Sequence, residues 1–397
     1  MPRRIMIVVR RLEMGGIQQA TLNLANALVR QEHEVHLLVL KGKPKLTLES
    51  DVKVHCVDFE RASRRSVLGL SYHFCSRILL KPLLPGSGFV WSGYAVSRRF
   101  TRFVEQLEVE HGRFDLMLVR GQGAFELLWN VHDPRCWQVV EGPTSSPGHS
   151  RLARWLYNKL YGGKRVISVS QGIGNLLDAQ LAEHGVSFSE RRVIHNGICL
   201  SKARQLAQEN VPLRITPPYL VHVARLAPIK KQRLLLEAFQ CAELNLPLLI
   251  IGDGRERSAL ERLAVELGIA DRVHFLGQQD NPYPWVANAS AFILSSKTEG
   301  LGLVLIEALA LGTQCVATDA PGGIREVLIE EQTRLIAEHN AKSLAAKMRE
   351  ALEHPVTVKS YWAERFDDAR IAGEFLRLIP DSSSMPNAEA VSLKEAS

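Results

Sequence analysis

At 397 residues, 46% hydrophobic and 23% charged, the chain has ordinary globular composition and enough length for two cores, which argues against disordered, fibrous and membrane-spanning classes. Its six cysteines are scattered without a C-x-x-C pair, so neither a zinc site nor a disulfide framework is expected and a reducing cytoplasm fits best. The net charge of +7 is confined to one stretch: residues 61–104 hold eight Lys/Arg and no Asp or Glu, and the rest of the chain carries 41 basic against 42 acidic residues.

In chain order, the apolar run 5–9 is too short for a signal-peptide core and reads as a buried strand. A loop through Leu12, Gly15 and Gly16, a helix over 18–31 and a strand over 34–40 follow. The basic stretch 61–104 also carries Tyr72, Phe74, Phe89, Trp91, Tyr94, Phe100 and Phe103, and cationic heads beside interfacial aromatics suit a peripheral contact with an anionic membrane. The alternatives are a basic surface loop with buried aromatics, or a pocket for a phosphorylated glycan. Nucleic acid is disfavoured, because no recognised nucleic-acid motif accompanies the charge.

Strands at 115–119, 136–140, 164–170 and 192–195 complete the first half, and strands at 219–223, 247–251, 272–276, 291–294 and 314–318 make the second. Short apolar runs alternating with helix-period segments predict an α/β protein of parallel sheets covered by helices. The expected division is a doubly wound domain over 1–197, a linker over 198–218 containing Pro212, Pro217 and Pro218, and a second doubly wound domain over 219–359. Helices crossing the junction over 360–379 and a disordered Ser/Ala/Glu-rich tail over 380–397 close the chain.

The chemistry concentrates in the second half. Ser295-Ser-Lys-Thr-Glu-Gly-Leu-Gly302 follows a strand and opens a helix, the position at which an open α/β sheet binds ligands and a helix N-terminus offers N–H groups to phosphate. Gly300 and Gly302 would let the backbone approach a pyrophosphate. Glu299 precedes the helix and Glu307 lies on it, up to roughly 12 Å apart along its axis, so one carboxylate can serve sugar hydroxyls and the other ribose hydroxyls. The bland alternative is a helix-capping Glu299 and a solvated Glu307. Arg225 and Lys230, just past the strand 219–223, put two cations at the same sheet edge, where they could stabilise a departing nucleotide without a metal.

These residues resemble a known family. Glu299 and Glu307 form a Glu-x7-Glu element within E-G-L-G-L-V-L-I-E-A-L-A-L-G-T, which resembles the donor-site signature of glycosyltransferase family 4, retaining enzymes of GT-B fold. A-R-L-A-P-I-K, I-G-D-G-R-E-R-S-A-L, V-H-F-L-G and A-T-D-A-P-G-G-I-R-E-V-L resemble the elements that flank that signature, in the same order. In the first half, Met14-Gly-Gly-Ile-Gln resembles the family's first loop, and Ile167-Ser-Val-Ser170 and Val193-Ile-His-Asn-Gly197 resemble its later landmarks. The resemblance implies that Glu299 contacts the donor sugar, Glu307 the ribose, Arg225 and Lys230 the diphosphate, and the Gly15-Gly16 turn the donor phosphates. It also implies retention by front-face attack, with no protein nucleophile, no metal and no cofactor beyond a nucleotide-sugar co-substrate, here expected to be a UDP-sugar.

Two features depart from the family. Residues 139–144 lack the usual sugar-facing His, although Glu141 lies at that sheet edge, and His132 and His149 read as ordinary loop histidines. The glycine pair that commonly follows the Arg-Glu segment is replaced by Glu331-Gln-Thr-Arg-Leu-Ile-Ala337. A nicotinamide dehydrogenase is disfavoured because no Gly pair extends to G-x-G-x-x-G. A sugar-nucleotide epimerase, a glycan phosphorylase and a catalytically silent membrane scaffold are the remaining rivals. The basic aromatic stretch favours a lipid-linked or lipopolysaccharide-type bacterial acceptor, met at the inner face of the cell membrane, and closure about 196–218 is expected to exclude water.

Overall fold

The computed structural model describes residues 2–12, 15–42, 51–65, 70, 74, 78, 88–144, 150–210 and 215–380. The first domain is a seven-stranded sheet of β1 (Arg4–Val9), β2 (Glu34–Val39), β3 (Lys53–Cys56), β4 (Leu116–Arg120), β5 (Cys136–Val140), β6 (Arg165–Ser168) and β7 (Glu190–Val193). The second is a six-stranded sheet of β8 (Leu220–Val223), β9 (Leu248–Ile251), β10 (Val273–Gly277), β11 (Ala291–Leu294), β12 (Cys315–Thr318) and β13 (Ile336–Ala337). Every pairing is parallel, in the orders β3-β2-β1-β4-β5-β6-β7 and β10-β9-β8-β11-β12-β13. Helices cover both faces, so the central strands are continuous apolar runs: Ile5, Met6, Ile7 and Val8 are each fully buried, as are Ile293 and Leu294. In both sheets the strand order reverses next to the first strand, between β1 and β4 and between β8 and β11, and the crevices beyond those strand ends are where doubly wound sheets take ligands.

Two backbone segments join the domains side by side. The outgoing segment passes Asn196 and Gly197, and the returning one pairs with it: Ile198 N donates to Phe366 O at 3.0 Å and Asp368 N to Ile198 O at 3.0 Å. Gly197 has no room for a side chain here, since a Cβ would lie 2.7 Å from the Asp368 Cα. The stretch expected as a linker over 198–218 begins at this crossing. Leu200–Ala207 is helical, and its Leu200 and Ala203 are buried, Leu200 within the second core. After the return, the helix Asp368–Leu376 docks on the first domain through Ile371, Ala372 and Phe375 and through an Arg30–Asp368 ion pair of 2.6 Å.

The basic stretch differs from its sequence reading. Gly88–His111 is a single helix whose apolar face enters the first core: Val96 and Phe100 are buried, and Phe89 and Phe103 pack against that core. These aromatics are core residues placed at helical spacing, not lipid-facing side chains. Trp129 closes the contact by donating to Val90 O at 2.9 Å. Leu70, Phe74, Ile78 and Tyr94 are exposed. Tyr72, His149 and the tail expected over 380–397, apart from Pro380, lie outside the described residues. Among the described residues no helix is long and apolar enough to cross a membrane.

Candidate active site

The carboxyl ends of β8, β11 and β12 bring the candidate donor residues together. Past β8 the chain makes a 3-10 turn, Pro228–Lys230, and leaves it through Lys231 in a left-handed conformation, φ 52°. A buried polar relay fixes this loop. His222 Nδ1 lies 2.8 Å from Ile293 O, and Gln232 Nε2 donates to Arg225 O at 3.0 Å and faces His222 Nε2 at 3.3 Å. Burial lowers the His222 pKa to about 4, so the ring is neutral, with its Nδ1 proton on Ile293 O and Nε2 free to accept. Neither His222 nor Gln232 stands out in the sequence, because a buried His on a strand has no periodic signature. The relay holds the Arg225 backbone and leaves its side chain exposed, with no ion-pair or hydrogen-bond partner among the described residues.

Lys230 is placed differently from a free cation. Its Nζ donates to Glu299 Oε1 at 2.5 Å, and Ser296 Oγ donates to the same oxygen at 2.5 Å. Glu299 Oε2 has no partner among the described residues. Ser295 Oγ in turn donates to Lys230 O at 2.9 Å, so the two loops are tied at both ends. Glu299 N donates to Pro321 O at 3.1 Å, and Glu299 forms a parallel bridge with Gly322.

The two glycines of this loop serve different ends. Gly302, φ +90°, is the left-handed N-cap of the eight-residue helix Leu303–Ala310 and offers no capping side chain; Leu305 N donates to Gly302 O at 2.9 Å, which leaves the Leu303 and Val304 N–H groups without intrahelical partners. At Gly300, by contrast, a Cβ would lie 2.1 Å from Glu141 O of the first domain. Gly300 is thus a packing glycine between domains. Further along that helix, Tyr283 Oη donates to Glu307 Oε1 at 3.3 Å, and burial pushes the Glu307 carboxyl up to about 7.

Facing this wall, Gly16 opens the helix Gly16–Arg30 with nothing within 4 Å of where a Cβ would stand, leaving open space at the end of β1. Glu141 lies just past β5, as its position in the sequence places it, and is engaged there. Its side chain is 4% exposed and paired at 2.5 Å with Arg120, itself 1% exposed, while Asn196 Nδ2 donates to its other oxygen at 2.7 Å. Both oxygens are occupied, so the group is a structural anion under the cleft floor. His132 sits at the opposite edge, before β5, beside Lys164 Nζ at 3.3 Å.

Two parallel α/β domains facing across a cleft, with an anion-ready helix N-terminus between two carboxylates, define the GT-B architecture. Two family models match in tandem, "Glycosyltransferase Family 4" over residues 14–202 and "Glycosyl transferases group 1" over 204–366. Together they span nearly the whole chain, which belongs to this glycosyltransferase family. Among curated relatives, an N-acetylgalactosamine-N,N'-diacetylbacillosaminyl-diphospho-undecaprenol 4-alpha-N-acetylgalactosaminyltransferase of Campylobacter jejuni is 29% identical over 58% of this chain and 64% of its own length. The lipopolysaccharide core biosynthesis glycosyltransferase LpsE of Rhizobium meliloti is 34% identical over 34% of this chain and 39% of its own. The matched region thus spans less than two thirds of these relatives. Solved structures share the fold across the chain. Anabaena HepE, with UDP and glucose, has a TM-score of 0.66 at 19% identity, covering 96% of this chain and all of that one. The lipopolysaccharide outer core galactosyltransferase WaaB has 0.64 at 18%, covering 95% and 99%.

Proposed function

We propose that the protein is a retaining, metal-independent glycosyltransferase that moves a hexose-type sugar from a nucleotide-sugar, a UDP-sugar in the first instance, to a lipid-linked or lipopolysaccharide-type glycan. The observation that carries this reading is the placement of Glu299 and Glu307 on either side of the Leu303–Ala310 N-terminus, with Lys230 on the first and Tyr283 on the second. The diphosphate lies on the Leu303 and Val304 N–H groups of that helix and beside Arg225, whose free guanidinium suits a bidentate contact with phosphate oxygens. Glu299 Oε2 accepts from a sugar hydroxyl, and the Glu307 carboxylate accepts from the ribose. The Gly15-Gly16 turn closes over the phosphates from the other domain. Both Glu141 oxygens are taken up by Arg120 and Asn196, which removes this carboxylate as a nucleophile, and front-face attack assisted by the donor phosphate needs none.

An acceptor at a membrane surface is supported by the relatives, whose names place one on a diphospho-undecaprenol glycan and another in lipopolysaccharide core synthesis, and by the exposed apolar side chains Leu70, Phe74 and Ile78 within the basic stretch. The location that follows is peripheral, at the inner face of the cell membrane.

Cation removal tests the chemistry. Arg225→Ala should lower kcat by about 10²–10³-fold with a smaller change in donor KM, the pattern of lost leaving-group stabilisation. Lys230→Ala should act in the same sense and also loosen Glu299. Unchanged steady-state kinetics in the double variant would remove the assignment.

A further inference from the structure

One place on the cleft carries four hydrogen bonds between the domains, three of them to Glu326. Glu326 lies four residues past Gly322, on the second domain. Its Oε2 accepts from Gln171 N at 2.9 Å and its Oε1 from Gly172 N at 2.9 Å, the first two residues of the thirteen-residue helix Gln171–Glu183 on the first domain. His195 Nε2 lies 2.9 Å from Oε2. Ser170, which caps the same helix by accepting from Ile173 N at 3.1 Å, turns its hydroxyl proton onto Gly300 O at 2.7 Å.

Around these bonds the backbones are stacked too closely for side chains. A Cβ on Gly172 would lie 2.1 Å from Gly322 O, one on Gly322 1.6 Å from Glu299 O, and one on Gly300 2.1 Å from Glu141 O. The Glu299–Gly300 turn is therefore sandwiched, with Gly322 on one side and the Glu141 carbonyl of the opposite domain on the other. A carboxylate on a helix N-terminus gains from both charge-assisted hydrogen bonds and the helix dipole. Every partner of that carboxylate belongs to the first domain, so these bonds exist only when the cleft is shut.

We propose that Glu326 is a positioning residue, a latch that docks the second domain onto the start of Gln171–Glu183 and thereby holds the Glu299–Gly300 turn in its sugar-facing place. The consequence for turnover rests on the donor-site reading above; the latch does not. It predicts that the nucleotide binds with the latch undone, because Arg225, Lys230, Glu307 and the Leu303 N–H are all on the second domain, whereas the turn is fixed only once the latch engages.

The test is small-angle X-ray scattering of the full chain, paired with calorimetric titration of UDP and a melting curve, on wild type, Glu326→Ala and His195→Ala. For Glu326→Ala the expected result is a larger radius of gyration, from an open-to-closed ratio raised about tenfold by the loss of hydrogen bonds to a charged group, with UDP affinity unchanged within about twofold. His195→Ala, which removes one of the three bonds, should expand the particle less, and it keeps the test decisive should Glu326→Ala fail to fold. Scattering that superimposes on wild type in both variants would overturn the latch, as would an expansion accompanied by lost UDP binding and early melting, which marks local unfolding. Absence of UDP binding in the wild type would count against the donor reading alone, and the scattering would still decide the latch.

Discussion

Glu307 carries the sharpest residue-level consequence. Burial raises its pKa in the folded chain to about 7, above an unfolded value near 4.5. The stability tied to its neutral form is therefore fully present below about pH 4.5 and is lost as pH rises through about 7. Nucleotide binding runs the opposite way, because the ionised carboxylate is the stronger acceptor for ribose hydroxyls. UDP affinity should fall as pH drops below about 7 and level off above it. Glu307→Gln should flatten this profile in calorimetry; an unaltered slope in that variant would assign the titration elsewhere. The sequence displayed Glu299, Glu307, Arg225 and Lys230 as a set, since a strand end, a glycine loop and a helix start all have local signals. It could not show that Lys230 leans on Glu299, or that Glu141 is buried against Arg120 and Asn196, because those contacts join residues far apart in the chain.

At the scale of elements, the central strands were legible because strands buried on both faces read as unbroken apolar runs. Two of the four edge strands were not. Lys53–Cys56 is mostly exposed and lacks that pattern, and Ile336–Ala337 spans two residues. The strand expected over 192–195 forms over Glu190–Val193, two residues earlier, and frees His195 to face Glu326. Gly88–His111 was hidden by its charge: reading 61–104 for cations and aromatics obscured a 3.6-residue period in which Val96, Phe100, Val104 and Leu107 line the core. Two substitutions separate the roles that were first read as one. Phe100→Ala should destabilise the fold by about 3–5 kcal/mol in denaturant melts, as truncation of a fully buried aromatic does. Phe74→Ser, at an exposed position, should leave stability unchanged and weaken sedimentation with vesicles of anionic phospholipid. Equal vesicle binding by Phe74→Ser and wild type would count against a membrane contact here.

For the whole molecule, the two doubly wound domains followed from alternating patterns, while the manner of their joining did not. The structure shows why glycine stands at Gly197: the returning segment crosses it directly, and Ile198 pairs with Phe366 and Asp368 to make a two-stranded junction. Contacts across the cleft involve Ser170, Glu326, Gly172 and Gly300, none of which has a local pattern that names its partner. The account as a whole stands on a donor site carried mainly by the second domain and built around Glu307. The most direct measurement is calorimetric titration of UDP, GDP and ADP into wild type and Glu307→Ala with EDTA present. Binding of one nucleotide class by wild type, lost in the variant, is the predicted result; no binding of any nucleotide, or binding indifferent to Glu307, would contradict it.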